Sequence, residues 1–168
     1  MNDLTIRNAL LADAVVLCDA ERETARTPGL LISRPSELSY ESFEEKIDVL
    51  GREGFYAVAE RGGLVVGHAL LEPYSLKALA HVYSLTIVVH PDNLGQGVGE
   101  ALMTALLKWA QARPGLLKIE LRVRETNVRA RRLYEKFGFI EEGRLEKRIL
   151  LPDGTFIADI TMAWLAPD

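Results

Sequence analysis

The fold is decided by residues 82–112, which read VYSLTIVVHPDNLGQGVGEALMTALLKWAQA. The stretch Val82 to Val89 ends in a near-continuous apolar run, which predicts a strand buried on both faces. A turn with three glycines follows, and apolar side chains then recur at helical spacing from Val98 to Ala112. A strand, a glycine turn and a helix in this order predict an anion site, because a helix start presents unpaired backbone N–H groups and the positive end of its dipole.

The segments on either side of this stretch predict further strands and helices. We expect strands at residues 4–7, 55–59, 64–71, 117–123, 140–151 and 155–165, and helices at residues 13–25, 40–52 and 127–137. Hairpin turns are predicted at Arg61-Gly62-Gly63 and at Asp153-Gly154. The chain therefore predicts an α/β fold of the α+β type. A central twisted mixed sheet of about six to seven strands is flanked by about four helices. The crossover should place Val82–Val89 parallel to, or splayed from, Leu117–Val123.

Length and composition favour one soluble domain spanning residues 1–168. The chain has 168 residues and a formal net charge of -4, and an acidic protein is a poor candidate for binding nucleic acid. No apolar stretch is long enough to span a membrane, and Met1 to Ile6 lack the features of a signal peptide. With Cys18 as its one cysteine, which we interpret as buried filler, the chain is expected to be cytoplasmic.

Three phosphate-binding motifs compete for the glycine turn, which comprises Leu94, Gly95, Gln96, Gly97, Val98 and Gly99. A nucleoside-triphosphate loop requires Lys and Ser or Thr after its last glycine, but Glu100 and Ala101 follow here. A dinucleotide fingerprint requires a glycine at position 100 or 102, where the chain has Glu100 and Leu102. Neither motif fits. A structural alternative is a tight turn that only starts a helix, although three alternating glycines cost chain entropy without filling a core.

The turn resembles the pyrophosphate loop of the GNAT N-acetyltransferase superfamily, which binds coenzyme A. That family's pattern is Arg/Gln-x-x-Gly-x-Gly/Ala after an apolar strand, and Gly97-Val98-Gly99 matches its glycine part. The first position departs from the pattern, because Leu94 stands where the family has Arg or Gln. Since backbone N–H groups supply much of the phosphate binding, we expect this loop to rely on them.

A second motif strengthens the resemblance. Residues 127–139, NVRARRLYEKFGF, match the family's Asn-x-x-Ala-x-x-Leu-Tyr-x-x-x-Gly-Phe segment at every named position. Asn127 is suited to cap the helix, and Tyr134 on its own reads as an aromatic at the edge of the core. The resemblance implies in addition that Asn127 contacts the coenzyme and that Tyr134 protonates or hydrogen-bonds the departing thiolate.

The resemblance implies a site made of one strand end, the glycine turn and the second motif. The predicted coenzyme-binding residues are Ile87, Val88, Val89, Leu94, Gly95, Gln96, Gly97, Val98, Gly99, Asn127, Ala130 and Tyr134. One of Arg129, Arg131, Arg132 and Lys136 is expected to meet the adenosine 3′-phosphate. The predicted catalytic residues are Tyr134, Glu72 and His81, the last two as candidates for the general base, although a lone histidine at a strand start is more often structural. His68 and His90 are expected to have no functional partners, and no spacing indicates a metal.

The function implied is transfer of an acetyl group from acetyl-CoA directly to a primary amine of a small molecule or an amino acid. One alternative is acetylation of protein N-termini, as ribosomal-protein acetyltransferases do, and the final hairpin resembles both kinds of relative. Another alternative is a non-catalytic coenzyme A-binding sensor. A homodimer is a family-level expectation.

Overall fold

The computed structural model describes residues 3–168, which form a seven-stranded sheet flanked by four helices. Met1 and Asn2, which begin the segment interpreted as carrying no signal peptide, lie outside the described residues. The strands are β1 (Leu4–Asn8), β2 (Phe55–Arg61), β3 (Leu64–Pro73), β4 (Val82–Val89), β5 (Lys118–Arg124), β6 (Ile140–Leu150) and β7 (Phe156–Leu165). The helices are α1 (Ala14–Ala25), α2 (Tyr40–Glu53), α3 (Val98–Gln111) and α4 (Val128–Lys136). Across residues 3–168 no helix combines the length and hydropathy needed to cross a bilayer.

The sheet is mixed, in the order β1-β2-β3-β4-β5-β7-β6. Every neighbouring pair is antiparallel except β4 and β5, which are joined through α3 and run parallel. The prediction of a mixed sheet with four flanking helices is confirmed, and the predicted strand and helix bounds agree with the observed ones to within about two residues.

Helices cover both faces of the sheet and create two cores. On one face α3 buries Leu102, Met103 and Leu106 against the central strands. On the other face α1 and α2 bury a smaller cluster, whose members are Ala14, Leu17, Cys18, Phe43, Ile47, Leu50, Tyr56, Val58 and Leu70. Cys18 is a buried member of this second core, as expected for a small apolar side chain.

The parallel pair β4 and β5 separates soon after it begins. Register pairs join Val82, Tyr83 and Ser84 to β5, and beyond Ser84 the described strands form no further pairs with each other. The prediction that β4 is buried on both faces is wrong for its second half. Leu85 and Val88 are buried there, but Thr86, Ile87 and Val89 are partly exposed. The reason is that β5 diverges and leaves this edge of β4 open.

Candidate active site

A cleft of about 1580 Å³ opens where β4 and β5 separate. One end is lined by the residues of the glycine turn and by α4, and the other end by α1, α2 and the segment between them. The middle is lined by residues 84–89 of β4 and residues 120–124 of β5. The splayed strands therefore connect two regions of the surface that lie on opposite sides of the sheet.

The open edge of β4 presents backbone groups to this cleft. His90 N–H donates to Val66 O at 2.9 Å, on the β3 side, whereas His81 O accepts hydrogen bonds from the β5 side. Because backbone groups alternate along a strand, the N–H groups of Ile87 and Val89 point towards β5, where no strand partner is present among residues 3–168. These two groups can bind an extended ligand, or the carbonyl of a thioester, as a further strand would.

The glycine turn holds a backbone conformation that favours glycine. Gly95 and Gly97 have φ values of 73° and 80°, and a Cβ at Gly97 would have no neighbour within 4 Å. Gly97 is the N-cap of α3 and offers no side chain, and the first hydrogen bond of the helix runs from Ala101 N–H to Gly97 O. The preceding N–H groups at residues 98–100 therefore face open space at the positive end of the helix dipole, which suits a pyrophosphate.

The third glycine has a different role. A Cβ at Gly99 would lie 3.0 Å from Leu133 Cδ2 and 3.6 Å from Val89 Cγ2. The missing side chain lets the start of α3 approach both α4 and the end of β4. Gly99 thus allows close packing of helices and strand, whereas Gly95 and Gly97 allow the backbone conformation of the turn.

Leu94 and Gln96 lie differently in the turn. Leu94 lines the cleft with 51% of its surface exposed. Gln96 is not among the lining residues, because its side chain points away from the cleft. Its Oε1 accepts a hydrogen bond from Arg61 Nη1 at 2.7 Å, and its amide donates to Asp92 O at 3.0 Å. Gln96 therefore links the turn to the β2–β3 hairpin on the side that faces away from the cleft.

Helix α4 contributes a cap and a buried phenol. Asn127 Oδ1 accepts a hydrogen bond from Ala130 N–H at 3.3 Å, which confirms the predicted cap. Tyr134 is buried against Phe139, with ring centroids 5.9 Å apart, and lines the cleft together with Asn127 and Ala130. Burial raises the pKa of Tyr134 to about 12, although the charge of Arg124 acts in the opposite direction. The phenol is therefore neutral at physiological pH and can donate a hydrogen bond.

The basic residues of α4 fall into two groups. Arg131 lies 3.5 Å from Glu141 and Lys136 lies 2.6 Å from Glu100, so both are engaged in ion pairs. Arg129 and Arg132 line the cleft, are exposed, and form no ion pair within residues 3–168. A Cβ at Gly95 would lie 3.4 Å from Arg129 Nη1, so this guanidinium sits directly against the glycine turn.

The two candidates for the general base lie outside the lining of the cleft. Glu72, on β3, has its Oε1 3.5 Å from Lys46 Nζ. His81 is exposed before β4, and its carbonyl accepts hydrogen bonds from Leu117 and Lys118. Their roles remain predictions.

The expectation that His68 and His90 lack partners is wrong. His68 Nδ1 lies 2.8 Å from His90 Nε2, and His68 Nε2 lies 2.7 Å from Glu21 Oε1. Both rings are buried, and Glu21 lines the cleft. The sequence carried one signal of this chain of contacts. Two histidines stand in apolar strand segments, where a buried imidazole requires hydrogen-bond partners.

An open strand edge, an uncapped glycine turn and a buried phenol along one cleft define an acyltransferase that uses coenzyme A. The family described as acetyltransferase (GNAT) matches residues 18–139, more than half of the chain, and the chain belongs to this family. It is an N-acetyltransferase whose cosubstrate is acetyl-CoA. Among residues 3–168, no three His, Cys, Asp or Glu side chains are grouped to hold a metal ion.

Relatives and solved structures agree with this assignment. A spermidine N(1)-acetyltransferase of Vibrio cholerae is 29% identical over 120 residues, which cover 68% of this chain and 69% of the relative. An acetyltransferase of the GNAT family from Streptococcus pneumoniae superposes with a TM-score of 0.87 at 26% identity, covering 96% of this chain and 99% of the other. A phosphinothricin acetyltransferase from Sinorhizobium meliloti, solved with acetyl-CoA, superposes with a TM-score of 0.88 at 20% identity, covering 98% and 89%.

Proposed function

We propose that this protein transfers the acetyl group of acetyl-CoA directly to a primary amine of a small molecule. The observation that carries the proposal is the continuous cleft, which joins the glycine turn to a separate region beneath α1 and α2. A cleft open at both ends allows two substrates to be bound at once, as direct transfer requires. Spermidine, which the name of one relative gives as its acceptor, is a small aliphatic amine.

At the end of the cleft lined by the glycine turn and α4, here called the coenzyme end, different groups are proposed to bind different parts of acetyl-CoA. The N–H groups at the start of α3 and the Arg129 guanidinium suit the phosphates, and the open edge of β4 suits the extended arm of the coenzyme. Acetyl-CoA supplies the thioester whose acetyl group is transferred. We assign to the N–H groups of Ile87 and Val89 the hydrogen bonds that hold the thioester carbonyl in place.

Tyr134 acts on the sulfur as a hydrogen-bond donor. A thiol has a pKa of roughly 8.5, so full proton transfer from a phenol with a pKa near 12 would be uphill by about 5 kcal/mol. A hydrogen bond that strengthens as the thiolate forms carries no such cost. The proton that the sulfur finally receives therefore originates from the amine or from solvent.

The test is a measurement of thiol release from acetyl-CoA with a panel of diamines, monoamines, amino acids and peptides, together with calorimetry of coenzyme binding. Turnover on small amines, with the acetylated product identified by mass spectrometry, is the expected result. Turnover on peptide N-termini alone would favour a protein N-terminal acetyltransferase. Coenzyme binding without turnover on any acceptor would indicate a non-catalytic sensor. The expected homodimer and cytoplasmic location stay predictions.

A further inference from the structure

The buried chain of Glu21, His68 and His90 lies outside the coenzyme site and has no role in the steps described above. Its three residues come from α1, from β3 and from the residue that follows β4. His68 is 0% exposed, so water cannot satisfy its ring nitrogens, and both have a protein partner within 2.8 Å. Such a buried polar chain requires every member to be satisfied, which fixes the positions of its side chains closely.

The direction of the hydrogen bond between His68 and Glu21 follows from the protonation states that the two side chains can adopt. Burial and the neighbouring His68 lower the pKa of His90 to about 3, so this ring is neutral. An ionised carboxylate can only accept hydrogen bonds. Whichever nitrogen of His90 carries its proton, an ionised Glu21 therefore receives the Nε2–H of His68. The buried histidines hold a carboxylate at the wall of the cleft.

The surroundings of Glu21 are arranged for a polar ligand. Its side chain is 14% exposed and lines the cleft, and its Oε1 is the oxygen that contacts His68. Tyr56 also lines the cleft, with its ring 6.1 Å from that of His68. The Tyr56 hydroxyl is buried and has no hydrogen-bond partner in the described part of the chain. An unsatisfied buried hydroxyl requires an explanation, and a polar ligand in the cleft that Tyr56 and Glu21 both line would provide one.

The charges at this end of the cleft favour a cation. Among the described lining residues of α1, α2 and the segment between them, Lys46 is the one with a positive charge, and it lies 3.5 Å from Glu72. Glu21 and Glu23 supply negative charge there. A ligand with a carboxylate next to its amine would face Glu21 with the wrong sign, whereas an aliphatic ammonium group would not.

We propose that Glu21 binds an ammonium group of the acceptor other than the amine that is acetylated, with the Tyr56 hydroxyl as a second polar contact, and that His68 and His90 are positioning residues. The proposal rests on the proposed function and narrows its acceptor to aliphatic diamines and polyamines, so amino acids should be poorer acceptors. It also names a carboxylate inside the cleft, which neither Glu72 nor His81 provides.

The first experiment compares Glu21→Gln with Glu45→Gln, a matched change at an exposed residue of α2 outside the cleft. With 1,4-diaminobutane as acceptor, Glu21→Gln should raise KM at least tenfold and leave the acetyl-CoA dissociation constant unchanged, whereas Glu45→Gln should change neither. If the diamine is turned over and Glu21→Gln keeps the wild-type KM, or if Glu72→Gln alone raises it, the assignment of Glu21 is overturned while the proposed function stands.

A second experiment detects binding without turnover. The ¹⁵N resonances of the His68 ring should shift when 1,4-diaminobutane is added to the complex with coenzyme A, and this shift should be absent in Glu21→Gln. No shift in the wild-type protein would overturn the proposal whether or not the enzyme turns over.

The positioning role of His68 is tested with two variants. His68→Gln keeps an N–H donor near the position of Nε2, and its KM for the diamine should stay within about threefold of wild type. His68→Leu removes the donor and should raise KM as Glu21→Gln does, with coenzyme affinity retained. Equal and unchanged KM values in both variants would contradict the role. If His68→Leu does not fold, the Gln variant and the ¹⁵N shifts decide.

Discussion

The two ends of the cleft are built in different ways. At the coenzyme end, which is the end lined by the glycine turn and α4, the groups proposed to bind come from two short segments, residues 87–99 and 127–134, and many of them are backbone N–H groups. At the acceptor end, the polar groups are side chains, and Glu21, Tyr56 and His68 come from α1, β2 and β3. A backbone site tolerates most side-chain changes unless they fill its space, whereas a site of side chains changes with each residue. Substitutions should therefore change acceptor binding more readily than coenzyme binding.

The two ends of the cleft carry opposite charges, and so do the ligands proposed for them. Arg129 and Arg132, which form no ion pair within residues 3–168, line the end proposed to bind the coenzyme phosphates, and Glu21 and Glu23 line the acceptor end. Opposite charges at the two ends of one cleft favour different ligands at each end. The following predictions test whether the two ends are as independent as this comparison indicates.

The largest effect is expected from Gly97→Glu at the coenzyme end. The new side chain would enter the open space at the start of α3 and place a negative charge at the proposed pyrophosphate site. We expect acetyl-CoA affinity to fall by at least about 100-fold, since like charges in contact cost several kcal/mol. Calorimetry measures the dissociation constant.

The control is Gly115→Glu, at the other end of α3. Gly115 has a φ of 88° and open space around its Cα, so the backbone strain and the added charge are the same. Coenzyme affinity should be unchanged in this variant. An equal loss in both variants would show that strain, and not the site, explains the result.

The second effect is expected from Tyr134→Phe. Loss of the hydroxyl should lower kcat by about 100-fold, because the hydrogen bond forms fully only as the thiolate develops. Tyr83→Phe, another buried tyrosine that lies outside the cleft, is the matched control and should retain kcat. Because the pKa of Tyr134 is about 12, its ionisation should not limit the rate below about pH 11. A kcat within threefold of wild type would indicate that Tyr134 only packs.

The third effect concerns the acceptor end and pH. The pKa of His90 is about 3 in the folded protein and roughly 6.5 in an unfolded chain. Between these values the unfolded chain binds a proton at this ring and the folded protein does not, so stability is lost as pH falls below 6.5. From pH 6.5 to 5 this loss amounts to about 2 kcal/mol. Urea unfolding at several pH values measures it.

A matched pair of variants isolates the contribution of His90. His90→Gln should remove most of this pH dependence, whereas His81→Gln, which removes an exposed histidine, should retain it. A wild-type free energy of unfolding that is flat from pH 6.5 to 5 would contradict the neutral, buried state of His90.

The sequence predicted which residues meet at the glycine-turn end of the cleft but not which meet at its other end, for a physical reason. Gly97, Asn127 and Tyr134 belong to consecutive motifs, whose spacing is set by one strand and one helix. His68 and His90 are 22 residues apart and meet because β3 and β4 pair side by side, while Glu21 arrives from α1, 47 residues before His68. Nothing in the local sequence encodes such a meeting. The same limit applied to β4, whose apolar run predicted burial on both faces but not the divergence of β5 that exposes its edge.

The smallest effect is expected from Arg129→Ala, which tests how much the coenzyme end depends on side chains. Arg129 lies against the glycine turn and has no ion-pair partner within the described residues, so its charge is available to a phosphate. We expect acetyl-CoA affinity to fall by about tenfold, the loss of one charge-assisted contact. Arg131→Ala should have little effect, because the Arg131 guanidinium already faces Glu141.

Repeating the titrations with 3′-dephospho-coenzyme A identifies the phosphate that Arg129 contacts. If the difference between wild type and Arg129→Ala disappears with this ligand, Arg129 binds the 3′-phosphate, and if it persists, Arg129 supports the pyrophosphate. No loss of affinity with either ligand would mean that the backbone of the glycine turn binds the phosphates without Arg129. The coenzyme end would then depend on backbone groups and the acceptor end on side chains.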